Sequence, residues 1–340
     1  MESIILMNSK WGNDMFVPMY LFFGGLSGGL FVVAVAADLI GIKLKQFENF
    51  SKITAVLCLP VLALAGAFIA FHLGKPERGI LFPFFFKNYS SWLVIGGWSV
   101  GLAIPLVVSY AAMWHFRVNQ TYRRIVGVIG MPLLGFVSFY TGLLLSGAMF
   151  VPLWSMKFLP YLFLNSGVLT GLAGSGLVYI LYQAFFTQNV SQEAASVSED
   201  SSKIISILGY AILVFIFIEL VEIQIFMEYL ASNPIKDDNS GLFIAPNGSE
   251  FVYEYVTNGP LSTWFWWGII GLGLTLPLVI GLIELIFEKV IKTYINWVSG
   301  FKFTSILVGG AILRFVIVWG GEVKAPLAMP PALFQIPIGG

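Results

Sequence analysis

Eight stretches of this chain are each long and apolar enough to cross a lipid bilayer, and that limits the fold more than any other feature. A transmembrane helix needs about 20 mostly apolar residues. The stretches run roughly over Phe16–Ile42, Ile53–Leu73, Trp92–Met113, Ile125–Phe150, Tyr161–Phe186, Ile204–Leu230, Leu261–Phe287 and Phe303–Gly321. In hydrocarbon a backbone must satisfy its own hydrogen bonds, so runs of this length are helices. The expected fold is an all-α integral membrane protein, with eight transmembrane helices arranged as two four-helix bundles. Composition agrees: 11% of residues are charged, against about 25% in a soluble domain. Mean hydropathy is +0.86.

The chain is expected to form a single membrane domain over 1–340. Within it, 1–186 holds the first four-helix bundle and the fifth helix, and 187–203 is a flexible Ser/Gln/Glu-rich linker. The last three helices and an extended Pro-rich tail fill 204–340. No sequence repeat relates the halves. Prolines interrupt several spans, at Pro60, Pro105, Pro132 and Pro277. Glycines gather in the first span (Gly24, Gly25, Gly28, Gly29) and the fifth (Gly167, Gly171, Gly174, Gly176). Such clusters suit close helix approach, or leave room for a flat ligand.

An even number of spans puts both termini on one side, here side A. Side B carries Lys43, Lys45, Lys52, Arg117, Arg123, Arg124, Lys203, Lys289, Lys292 and Lys302. Side A carries fewer cations: Lys10, Lys75, Arg78, Lys87, Lys157, Lys236 and Lys324. The excess assigns side B to the cytoplasm and both termini to the periplasm or cell exterior. The first 15 residues lack a cationic n-region and a cleavage site, so the first span is expected to remain as an anchor. Zero net charge and no basic block argue against a nucleic-acid partner.

Metal chemistry within the chain has little to draw on. The lone Cys58 cannot hold an iron–sulfur cluster, which needs about four ligands. His72 and His115 lie at opposite membrane faces, roughly 30 Å apart, so they cannot share a haem. No metal or haem site is expected.

Ionisable residues inside the spans are the more informative feature, because a charge at mid-bilayer is costly and marks function by default. Glu219 and Glu222 share one face of the sixth span. Arg314 sits at similar depth in the eighth, where pairing with Glu219 would reduce the cost of burial. Asp38 and Glu284 lie near the B ends of their spans, either as wet helix-end charges or as an extension of a proton relay toward side B. Tyr140 is deep in the fourth span and needs a hydroxyl partner. Tyr20, near the A end of the first span, is read either as an aromatic-belt residue or as a ligand neighbour.

Several ordered motifs resemble the NrfD/polysulfide reductase membrane-subunit family. The family signature between the second and third helices is close to Asp or Asn followed by Leu-Gly-Arg-Pro-Glu-Arg. Here it reads His72-Leu73-Gly74-Lys75-Pro76-Glu77-Arg78, departing at His72 and Lys75. Ser91-Trp92, Tyr140-Thr141-Gly142, Pro152-Leu153-Trp154, Asn165-Ser166-Gly167, Leu313-Arg314-Phe315 and Gly320-Gly321 follow in order.

The resemblance implies a quinone-binding subunit without haem or cluster, in a bacterial or archaeal cell membrane. It would exchange electrons between menaquinone or ubiquinone and an extrinsic four-cluster iron–sulfur subunit, itself joined to a molybdopterin or multihaem catalytic subunit. Tyr20, His72 and Tyr140 become headgroup neighbours. Lys75, Glu77 and Arg78 become the docking loop. Glu219, Glu222 and Arg314, with Asp38 and Glu284, become proton-handling groups. The competing reading is a secondary transporter, which also uses midplane charges and broken helices.

Overall fold

A computed structural model of the chain describes residues 15–72, 85, 88–148, 151–186, 194–232, 248–286 and 295–322. The Lys75-Pro76-Glu77-Arg78 loop and the Pro-rich tail lie outside the described residues. All eight expected spans are present. In chain order the helices are α1 (Phe16–Ile40), α2 (Gln46–His72), α3 (Trp92–His115), α4 (Gln120–Ser146), α5 (Leu159–Phe186) and α6 (Ala194–Ser232). A short amphipathic α7 (Gly248–Thr257) precedes α8, which is π-helical over Trp264–Thr275 and α-helical over Leu276–Ile286. The last is α9 (Ile295–Glu322).

Two boundaries differ from expectation. Helix α2 starts at Gln46, a turn or more before the apolar window opens. Phe47 and Phe50 are buried there while Glu48 is half-buried. The expected linker is helical from Ala194 onward, so α6 projects beyond its apolar span on side B.

Helix α1 is the axis of the protein. Of its apolar window 78% is buried, against 28% for α3 and for α8. Its glycines make this possible by packing. A methyl placed on Gly29 would lie 1.9 Å from the Gly167 carbonyl oxygen of α5, and one on Gly28 would lie 2.4 Å from the Leu134 oxygen of α4. The glycine clusters therefore serve helix contact, not a slot for a flat ligand.

One apolar core fills the space between α1, α2, α3 and α4. A larger one links α5, α6 and α9 and reaches α1 and α2. Helices α1 and α5 are in backbone contact, so the first four helices and the rest meet along a tight seam.

Gly29→Ala is expected to lower the subunit's melting temperature in detergent, with an overpacking cost of about 1–3 kcal/mol, because the obstacle is backbone. Gly66→Ala on α2 has nothing within 4 Å of the added methyl and is expected to melt at or above the wild-type temperature. Equal melting of the two variants would refute the contact's importance.

In α8 the wide π turns precede Pro277, whose missing N–H interrupts the ladder. They let Gly273 approach Gly309 of α9, where a methyl on Gly309 would sit 2.2 Å from the Gly273 Cα.

Candidate functional site

The A-side halves of α1, α3 and α4 hold the first group of site residues. Tyr20 and Tyr140 are 7% and 2% exposed, and their hydroxyls face each other. Tyr20 is therefore an interior residue and not part of the aromatic belt. Three anchors fix the α4 backbone around Tyr140. Ser138 Oγ donates to the Gly25 carbonyl of α1 at 2.9 Å. Thr141 packs against Gly24. Gly142 lies against Leu159 and Pro160 at the start of α5.

Beside this pair stands an aromatic wall: Phe23 stacks on Phe68 of α2 at 5.5 Å, and Phe16 lies 6.3 Å from the same ring. Phe16, Tyr20 and Phe23 are spaced to share one stripe of α1. His72, half-buried, is the last residue of α2 and belongs to this same end. Lys75, Glu77 and Arg78 lie outside the described residues.

One to two turns deeper is the charged group. Arg314 is 1% exposed; Nη1 donates to Ser166 Oγ at 2.7 Å and Nη2 to the Phe163 carbonyl at 3.3 Å. Its guanidinium also lies 4.4 Å from the centre of the Phe163 ring. Glu219, 2% exposed, does not meet it in a direct ion pair among the described residues. Ser166 stands between them, bonded to Arg314 and facing Glu219. Glu219 Oε2, Glu222 Oε2 and Arg314 Nε have no hydrogen-bond partner among the described residues. A small cavity of about 10 Å³, close to the room one water needs, is lined by Ser166, Thr170, Glu219, Gly273 and Gly309. Arg314 also borders Gly25, the residue that accepts from Ser138, so the two groups adjoin.

Toward side B the arrangement differs from the wet helix end considered for Asp38, which is wholly buried. Its two oxygens receive Arg123 Nε at 2.8 Å and Nη2 at 2.7 Å, Arg124 Nε at 3.2 Å, and the Tyr110 hydroxyl at 3.1 Å. Arg123 in turn lies 3.4 Å from the centre of the Trp114 ring. Glu284 is bound by Lys302 and by Ser299 Oγ at 2.9 Å. Arg123 and Lys302, counted in sequence among the side-B loop cations, are buried.

Two parts of the sequence pattern interlock at the A face. Trp154 Nε1 donates to the Ile317 carbonyl at 2.9 Å. Its ring edge rests on Gly321, where a methyl would come within 2.0 Å, and Leu153 rests on Gly320. The Pro152-Leu153-Trp154 and Gly320-Gly321 segments are thus two sides of one contact that closes α9 over the entry to α5.

Sequence reasoning gave no role to Ser166, Ser138, Arg123 or Lys302. Of these, Ser166 carried a signal, being a hydroxyl at the depth of Arg314 inside a family-like motif.

Comparison with known proteins accords with this architecture. The family model for polysulphide reductase, NrfD, matches residues 6–326. The C component of the polysulfide reductase of Wolinella succinogenes is 23% identical over 346 aligned residues, covering 93% of this chain and 99% of that protein. The C component of the selenate reductase of Mesobacillus selenatarsenatis is 21% identical over 313 residues, covering 80% of this chain and 66% of that protein.

Proposed function

We propose, for a chain that belongs to the NrfD polysulphide reductase family, that it is the multi-pass membrane subunit of a respiratory oxidoreductase and receives a quinone or quinol at the Tyr20–Tyr140 pair. The observation that carries this reading is the pair itself. Two buried hydroxyls stand beside an aromatic wall at one end of the bundle. Hydroxyl donors suit carbonyl oxygens, and aromatic faces suit a flat ring. The residues fit such a headgroup.

When bound, a quinone supplies two-electron, two-proton chemistry. The chain's own residues bind and orient it. Tyr140 donates its hydroxyl to a headgroup oxygen, Tyr20 holds Tyr140 in place, and His72 offers a second polar contact at the same end. The loop with Lys75, Glu77 and Arg78 docks an extrinsic iron–sulfur subunit on side A, which faces the periplasm or cell exterior. That subunit connects to a catalytic subunit that acts on the terminal substrate.

Protons are handled below the headgroup by Glu219 and Glu222, with Ser166 and a water in the adjoining cavity as carriers and Arg314 as counter-charge. Glu284 extends this set toward side B. Asp38, held by two guanidinium groups, serves as a fastener between helix ends.

The test is Tyr140→Phe in membranes containing the assembled complex. Oxidation of menadiol, a soluble naphthoquinol, is expected to fall about tenfold, the worth of one hydrogen bond near 1.4 kcal/mol. Wild-type kinetics from an assembled complex would sink the reading.

A further inference from the structure

The geometry points to Gly96 of α3 as the positioning residue for Tyr140: the bare backbone there is the seat that fixes the hydroxyl edge of the tyrosine ring. This rests on the proposed role of Tyr140. A methyl placed on Gly96 would lie 1.6 Å from Tyr140 Cζ, 2.0 Å from its hydroxyl oxygen and 2.2 Å from Cε1. The ring's reactive end therefore lies directly on the α3 main chain, in space that any side chain would fill.

The opposite end of the ring cannot yield. The α4 backbone is held by the Ser138–Gly25 hydrogen bond and by the Gly142 contact with Leu159 and Pro160. The hydroxyl faces that of Tyr20 on α1. So the ring has a fixed root on α4, a lateral partner on α1, and a floor on α3. Gly96 supplies that floor.

What Gly96→Ala displaces is the far end of a side chain and not a backbone. The displacement falls on the hydroxyl end of the ring. Helix α3 packs chiefly against α4 and α2, and only 28% of its apolar window is buried. The glycine is thus a requirement of the site. Gly101, on the same helix, has nothing within 4 Å of an added methyl and provides the matched control.

The experiment measures menadiol oxidation in native membranes, per inserted chain, for Gly96→Ala, Gly101→Ala, Tyr140→Ala, Tyr140→Phe and the double variant Gly96→Ala/Tyr140→Ala. Gly96→Ala is expected to raise the KM for menadiol or lower turnover roughly tenfold or more, as a misplaced contact group does. Gly101→Ala stays within about twofold of wild type. In the Tyr140→Ala background the Gly96→Ala change adds nothing, because the obstructed ring is gone; a raised KM or lowered turnover per inserted chain at an unchanged protein level is what a merely structural glycine would not show.

If Gly96→Ala lowers the amount of protein in the membrane, the double variant is expected to restore it to the Tyr140→Ala level. Wild-type kinetics for Gly96→Ala with impaired Tyr140→Phe, or equal losses in both backgrounds, would overturn the inference and leave the tyrosine's role intact. Wild-type kinetics for Tyr140→Phe and Tyr140→Ala would remove the quinone reading itself, and this inference with it.

Discussion

Asp38→Asn is expected to destabilise the subunit by about 3–5 kcal/mol, the cost of leaving a buried charge without its partner. The carboxylate is wholly buried and takes hydrogen bonds from Arg123, Arg124 and Tyr110. Removing its charge strands two cations at once. The cations are not equivalent. The Arg123 side chain is 4% exposed and pressed on Trp114, whereas Arg124 is 18% exposed and reaches Glu48 at 3.8 Å. Arg124 has a route to water along its apolar stem; Arg123 has none.

The order of damage follows: Asp38→Asn most, Arg123→Met less, because Asp38 keeps Arg124 and Tyr110, and Arg124→Met least. Melting temperatures of the detergent-solubilised subunit measure the series. A proton relay through Asp38 makes the opposite forecast, a stable Asp38→Asn protein with altered proton coupling. Wild-type melting for that variant would end the fastener reading.

The eight spans were legible because lipid leaves a polypeptide few choices. Twenty apolar residues in a row encode a helix without tertiary help. Depth was legible for the same reason, and it placed Glu219 near Arg314, as the structure has them. Lateral contacts were not legible. Glu48 and Lys52 made the hydrophobic window of α2 open late, although Glu48 is bonded to Gln120 and Arg124. Arg123 and Lys302 read as surface cations because they fall at span ends, where sequence cannot distinguish a loop lysine from one turned inward onto a carboxylate. Tyr20 looked like a belt residue for the same reason. Ser166 was marked by depth and motif but had no charge to give it a role, which appears when α9 sets Arg314 beside it.

Glu219 and Arg314 supply the other large effect, and here stability and activity are expected to separate. Arg314→Met removes the cation facing a carboxyl that is 2% exposed and has one oxygen without a hydrogen-bond partner among the described residues. Because the two charges are not in direct contact, the expected cost is about 1–3 kcal/mol, that of leaving buried polar groups unsatisfied. Glu219→Gln leaves the guanidinium its bonds to Ser166 and Phe163 and its contact with the Phe163 ring, so it costs less. Combining Glu219→Gln with Arg314→Met removes both charges, so neither is left buried without its counter-charge. The double variant is expected to melt near the wild-type temperature. Its quinol oxidation is not expected to recover, because glutamine cannot accept and release a proton; a loss of about 10²-fold is the low end for removing an acid–base group. Melting of the purified complex and menadiol oxidation per inserted subunit decide the matter together. A double variant that is both stable and fully active would show that the two charges only hold each other in the membrane, and the proton route would then have to bypass Glu219.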